Sequence, residues 1–154
     1  MSTYNFVTIN DTSLKKINEF NRFIHGDEVK DAAMALRSHP LMKDEYYIAL
    51  EDEAERIVCA VHLLPIMWNY CGLALRGGEL AIMGTHPDCR NQGLATRVVE
   101  RLLALCKRDG FVFSSITGIP EFYLRFGYSY GFELENDIRF PQRSFVPPRP
   151  PNRR

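Results

Sequence analysis

Residues 79–103 read ELAIMGTHPDCRNQGLATRVVERLL, and the hydrophobic period changes in the middle of them. Glu79 to Thr85 is an apolar, β-forming run that stops at His86 and Pro87, where the residue before proline is steered away from the helical region. Beyond the loop, Leu94, Val98, Leu102 and Leu105 with Ala95, Val99, Leu103 and Cys106 make one broad apolar stripe at helical spacing. Arg97, Glu100, Arg101, Lys107 and Arg108 occupy the opposite face, and Gly110 stands where a C-cap glycine belongs. A strand, a short loop and a helix opening at Gly93 follow from this pattern. Such a junction gathers the unpaired amides of a helix start with its dipole, so it suits an anion, and a glycine lets that anion approach the main chain. A dinucleotide loop would require GxGxxG and a nucleoside-triphosphate loop GxxxxGK before Ser or Thr; this stretch contains neither.

Outward from this segment the elements alternate. Tyr4 to Asn10 reads as a strand, and Thr12 and Ser13 offer caps for a helix carrying Leu14, Ile17, Phe20, Phe23 and Ile24. Val29 to Ser38 predicts a second helix ended by His39 and Pro40. Tyr46 to Glu51 and Arg56 to Ile66 predict an antiparallel hairpin around the acidic turn 52–55. Met67 to Leu75 is a further extended stretch, after which Arg76, Gly77 and Gly78 are expected to turn the chain into the strand 79–85. Phe111 to Thr117 predicts a buried strand parallel to 79–85 by the crossover rule, Glu121 to Arg125 a short helix, and Tyr128 to Leu134 with Asp137 to Phe140 a closing pair. The expectation is one α/β domain over 1–140 and a proline-rich tail over 141–154, with no fixed-period repeat.

The chain has 154 residues, 45% of them hydrophobic and 25% charged, enough for one core and too apolar for a disordered chain. Nineteen basic residues balance nineteen acidic ones, so no global field draws it to nucleic acid or an anionic membrane, and neither is expected as a partner. Cys59, Cys71, Cys89 and Cys106 match no zinc spacing and read as reduced, mostly buried thiols. MSTYNFVTIN lacks the basic start and apolar run of a signal peptide, so a cytoplasmic protein is expected.

Within the decisive stretch, Arg90 to Ala95 form RxxGxA, and further on stands EFYLRFGYSYGF, Glu121 to Phe132. The first resembles the pyrophosphate loop of the GNAT superfamily of acyl-CoA-dependent N-acetyltransferases, and the second the FYxxxGF element after that family's fifth strand. The longer string MGTHPDCRNQGLATRVVERL resembles the enhanced-intracellular-survival type branch. The resemblance implies a GNAT fold, a mixed sheet of about six to seven strands flanked by about four helices. It implies acetyl-CoA as co-substrate without a metal, and a small or peptidyl amine as acceptor; a homo-oligomer is compatible with it. Main-chain groups of Met83, Gly84 and Thr85 would pair with the pantetheine arm and the thioester. Asn91, Gln92, Gly93, Leu94, Ala95 and Thr96 would hold the pyrophosphate, with Arg90 adding charge, and Gly118 and Ile119 would let the pantetheine pass. Tyr123 matches the family's general acid.

The chemistry suits a phenol there, because the departing CoA thiolate has the basicity of a thiol near ~8.5 and a phenol near ~10 can protonate it. Glu79, Glu121 and His86 are the candidates for the base; in multidomain relatives that role belongs to a carboxylate at the far end of the chain. His62 is expected to point out of its strand, and His25 and His39 to be structural residues at helix ends. Trp68 and Tyr70 are candidates for an acceptor pocket. The competing reading is a GNAT-fold module that binds acyl-CoA as a regulatory or structural part of a larger protein.

Overall fold

A computed structural model of the protein describes residues 3–119 and 121–131. The elements run β1 (Asn5–Phe6), α1 (Asp11–His25), α2 (Ala32–Leu36), β2 (Tyr47–Glu51), β3 (Ile57–Tyr70), β4 (Leu73–Thr85), α3 (Leu94–Arg108) and β5 (Phe113–Ser115). Side-chain alternation along β2 sets the layers. Ile48 and Leu50 join Val61 and Leu63 of β3 beneath Val98, Val99, Leu102 and Leu105 of α3, whereas Tyr47 and Ala49 face Leu14, Ile17 and Phe20 of α1 with Ala33 of α2. The sheet is thus covered by α3 on one face and by α1 and α2 on the other. Its order is β1-β2-β3-β4-β5, antiparallel as far as β4 and parallel between β4 and β5. That parallel pair is the one expected from the α3 crossover.

Local chemistry fixes the ends of the helices. Asn10, rather than Thr12 or Ser13, is the N-cap of α1: its Oδ1 accepts from the Ser13 amide at 2.9 Å, and Ser13 Oγ accepts from the Asn10 amide at 2.8 Å. At the end of α3, Asp109 receives Arg108 Nε at 2.6 Å, the Tyr46 hydroxyl at 2.5 Å and Lys43 Nζ at 2.9 Å, which together hold its carboxyl well below the usual carboxylate range. This ties the last turn of α3 to the start of β2. Cys59, Cys89 and Cys106 are buried free thiols, as expected, and Cys71 is an exposed one.

Several expectations require correction. Among the described residues there are five strands and three α-helices, not six to seven strands and four helices. The helix expected over 29–38 is the single 3-10 turn Asp27–Val29 followed by the five-residue α2, and that expected over 121–125 is the 3-10 turn Leu124–Phe126. Tyr128 to Gly131 form no strand, and the rest of the expected closing pair, like the 141–154 tail, lies outside the described residues. The turn between β3 and β4 is Cys71–Gly72, both at positive φ (49° and 84°), the requirement of a two-residue hairpin turn. Gly77 and Gly78 instead sit inside β4 for packing reasons. A Cβ on Gly77 would lie 2.2 Å from the Phe113 ring, and one on Gly78 2.6 Å from Leu63, so their absence lets β5 and the core close in.

His62 does not point out of its strand into solvent. It pairs with Tyr47 across β2 and β3, faces α1, and is fully buried. Asn21 Nδ2 of α1 donates to its Nε2 at 3.0 Å, leaving Nδ1, Asn21 Oδ1 and the Tyr47 hydroxyl without a protein partner among the described residues. Burial pushes the His62 imidazole down to about 4. The native state therefore holds it neutral while the unfolded chain takes a proton near 6.5, so stability is lost as pH falls from 6.5 toward 4. The stability difference between wild type and His62→Gln, from urea unfolding, should shift toward the variant by up to about 1.4 kcal/mol per pH unit in that window. A difference independent of pH would mean that His62 is charged in the native state.

Candidate active site

The ladder between β3 and β4 carries one extra residue on β4. Ala60 pairs with Gly84 and His62 with Ala81, two steps on β3 against three on β4. The surplus falls at Ile82 and Met83, and Ile82 takes φ 48°, a left-handed conformation that costs a β-branched residue about 1–3 kcal/mol. On its other side β4 pairs with β5 only from Gly77 to Glu79. The bulge therefore lies just where β4 has parted from β5, and the main chain from Leu80 to Thr85 has no ladder partner on that edge among the described residues.

Two elements close on Met83. From the α1 side comes Ile24, since a Cβ on Gly84 would stand 2.8 Å from Ile24 Cγ2, and His25 follows it at the helix end. From the β5 side comes Tyr123, whose hydroxyl donates to Met83 Sδ at 3.4 Å. Tyr123 is held edge-on by Phe122 and Tyr128, at ring separations of 4.9 and 5.9 Å, and the Tyr128 hydroxyl is anchored on Ser114 Oγ of β5 at 2.6 Å. Gly118 lies against the ring, since a Cβ there would be 2.5 Å from Tyr123 Cε2. Burial, aided by Tyr128, pushes the Tyr123 phenol up, so it is a proton donor at neutral pH.

Beyond Thr85, whose hydroxyl contacts Cys59 Sγ at 3.3 Å, a 3-10 turn over Pro87–Cys89 leads into the loop before α3. Asn91 (φ 60°) and Gly93 (φ 75°) take left-handed conformations there, and Gly93 is the N-cap of α3 with no side chain to cover the first amides. Asn91, Gln92 and Gly93 are exposed. Gln92 Oε1 accepts from the Tyr4 hydroxyl at 2.8 Å, which pins the loop to the start of the chain. The Leu94 side chain is buried in the core and Ala95 and Thr96 are half-buried, so these three offer amides more than side chains. Arg90 and Ile119 are exposed. The residues singled out in the sequence thus fall on one stretch from bulge to helix start, with Gly118 and Tyr123 facing its Met83 end.

The three base candidates occupy separate positions. Glu79 stands at the β5-paired end of β4, opposite Ser115. His86 is stacked on Phe23 at 5.1 Å with its Nδ1 accepting the Asp88 amide, and Glu121 is exposed. On the side of α1 that faces the sheet, Asn18 and Asn21 are buried polar residues, and His25, at the last position of the helix, is exposed. Positions 18, 21 and 25 follow the helical period, a signal legible in the sequence but hidden beneath the apolar stripe. Trp68 packs against Phe113 at 4.7 Å and Tyr70 is exposed at the tip of the β3–β4 hairpin. Among the described residues no group of three His, Cys, Asp or Glu side chains is gathered for a metal ion, and no helix is long and apolar enough to cross a membrane.

The fold is shared with solved acetyltransferases. An Escherichia coli GNAT family N-acetyltransferase (YhbS) in complex with CoA superposes with a TM-score of 0.71 at 19% identity, over 84% of this chain and 70% of that one. Glucosamine-6-phosphate N-acetyltransferase from Arabidopsis thaliana gives 0.65 at 16% identity over 89% and 99% of the two chains. The aminoglycoside N-acetyltransferase AAC(6')-Iy in complex with CoA gives 0.64 at 15% over 93% and 97%. No curated protein matches in sequence. The sequence model of one family, described as an acetyltransferase (GNAT) domain, matches residues 6–131, and with the bulged, splayed strand and the glycine-started helix this chain belongs to the GNAT acetyltransferase family.

Proposed function

We propose that the protein transfers acetyl from acetyl-CoA to a primary amine by direct attack in a ternary complex, with Tyr123 as general acid. The observation that carries this reading is the Tyr123 hydroxyl placed on Met83, at the bulge of a strand that leads within ten positions to the bare helix start at Gly93. Main-chain groups of Met83, Gly84 and Thr85 on the free edge of β4 hold the pantetheine and thioester. An amide aimed at the thioester oxygen stabilises the developing oxyanion, an effect of about 10² to 10³ in rate. Amides of Asn91 to Thr96 take the pyrophosphate at the positive end of α3. Gly118 and Ile119 leave the arm a passage beside Tyr123. The string MGTHPDCRNQGLATRVVERL supports placing the chain with the enhanced-intracellular-survival branch.

The amine nitrogen attacks the carbonyl carbon, and the tetrahedral intermediate breaks its C–S bond. The thiolate leaves with the phenol proton of Tyr123. Burial serves this step, because a phenol pushed up stays protonated until the thiolate forms. Thiol release from acetyl-CoA is the test, across a panel of glucosamine 6-phosphate, an aminoglycoside, a polyamine, free amino acids and a lysine peptide. The first two stand in the panel because similar solved structures bear those names. Release with at least one amine is expected; binding of acetyl-CoA without release for every amine would instead support a non-catalytic acyl-CoA module.

Tyr123→Phe should lower turnover at least about tenfold, toward the 10² to 10⁴ of general acid catalysis, with acetyl-CoA affinity unchanged by calorimetry. Unchanged turnover would remove Tyr123 from the mechanism. Gly118→Ala should displace the Tyr123 ring and lower turnover in the same direction. In the double variant the two losses should not add, because both act on one hydroxyl.

A further inference from the structure

Resting on the acetyl-transfer reading above, we propose that Tyr4 is a positioning residue for acetyl-CoA: its hydroxyl holds the loop before α3 in the shape that receives the diphosphate. The loop needs such a support. Asn91 and Gly93 are both left-handed, at φ 60° and 75°, and Gln92 between them is exposed like its neighbours. Among the described residues the amides of Asn91, Gln92 and Gly93 have no acceptor, and a Cβ added to Gly93 would meet nothing within 4 Å. Free amides and open space suit an arriving anion. They also leave these residues without the main-chain bonds and packing that would hold two left-handed conformations in place.

Among the described residues, the hydrogen bond that reaches 91–93 from outside α3 comes from Tyr4, whose hydroxyl donates to Gln92 Oε1 at 2.8 Å across 88 positions of chain. Tyr4 is itself held from several sides. Its carbonyl accepts from Arg97 Nη2 at 3.0 Å, and the Arg97 guanidinium lies over the Phe6 ring at 5.4 Å. The Tyr4 ring is half-buried against the core beneath α3. Phe6 pairs with Leu50 and the Val7 amide donates to Ala49 at 3.0 Å, so the sheet anchors the segment. The start of the chain thus forms a strap from the β2 edge across the first turn of α3, gripping Arg97 on the helix and Gln92 on the loop.

The consequence is a lower ordering cost on binding. A mobile loop must lose main-chain freedom when its amides close on a diphosphate, whereas a loop already held in that shape has lost it beforehand, and more of the contact energy appears as affinity. A single hydrogen bond of this kind changes an equilibrium constant roughly threefold to tenfold, which sets the expected size. Among the described residues no hydrogen bond of the strap involves Met83 or Tyr123, so its loss reaches the reaction through acetyl-CoA binding rather than through turnover.

The test uses the full chain, with acetyl-CoA binding followed by calorimetry and turnover measured with the panel amine that the wild type acetylates fastest. Tyr4→Phe keeps the ring that packs on the core. It should weaken acetyl-CoA binding about threefold to tenfold and raise the KM for acetyl-CoA by the same factor, while kcat at saturation and the KM of the amine stay within about twofold. Gln92→Ala keeps its main-chain amide but loses the acceptor, and it should reproduce that loss. The double variant should bind no more weakly than either single one, because both remove one bond. A role confined to packing would give neither the split between the two KM values nor the match with Gln92→Ala. Unchanged acetyl-CoA affinity in Tyr4→Phe, a fall in kcat as large as the change in KM, or losses that add in the double variant overturn the assignment while leaving acetyl transfer standing. No thiol release by the wild type with any amine overturns the acetyl-transfer reading, and the calorimetric comparison then still decides the assignment; no binding of acetyl-CoA overturns both.

Discussion

One extra residue in β4 governs the candidate site. The chain accepts a left-handed Ile82 so that the β3–β4 ladder can slip by a residue between Ala60 and His62, and the slip turns the main chain of Ile82 and Met83 away from regular pairing. Such a conformation persists only where its surroundings hold it. Here Ile24 fills the space above Gly84, Tyr123 bears on the Met83 side chain, and His86 donates its amide back to Val58 at 2.8 Å just past the strand end. The strain sits beside the free strand edge, and the surrounding core outweighs it.

The two faces of the sheet divide the work. The α3 face is almost purely apolar, from Leu94 to Leu105 against Ile48, Leu50, Val61 and Leu63, and it orients the helix whose first turn stands open at Gly93. The α1 face mixes apolar residues with Asn18, Asn21 and His62, a polar seam inside the core. Asn18 spends its oxygen on the Ala33 amide at 2.9 Å, which docks α2, and Asn21 turns its amide nitrogen to His62. Groups left unsatisfied in a core are costly, and the Asn21, Tyr47 and His62 atoms without a protein partner among the described residues all lie in this seam.

Much of the architecture was legible in one reading of the chain, because its signals are local. The change of period at Gly93, the stop at His86–Pro87 and the apolar stripe of α3 are each set by residues within a few positions of one another. The parallel pairing of β4 and β5 follows from the helix between them. The β3–β4 turn was misplaced because Gly77–Gly78 looks like a turn signal, whereas those glycines answer to Phe113 and Leu63, neighbours distant in sequence. Cys71 carried no turn signal that outweighed them.

The sequence by itself determined the helix that opens at a glycine, the loop before it and the tyrosine of the FYxxxGF element, since these depend on residue type and spacing. Only the tertiary structure decided what meets at Met83. The bulge arises from a register between two strands, the burial of His62 from which face of β3 turns toward α1, and the approach of Ile24 to Gly84 from the packing of α1 across the sheet. Register and facing are relations between distant segments, and a one-residue slip reverses every side chain, so no local pattern could have announced them.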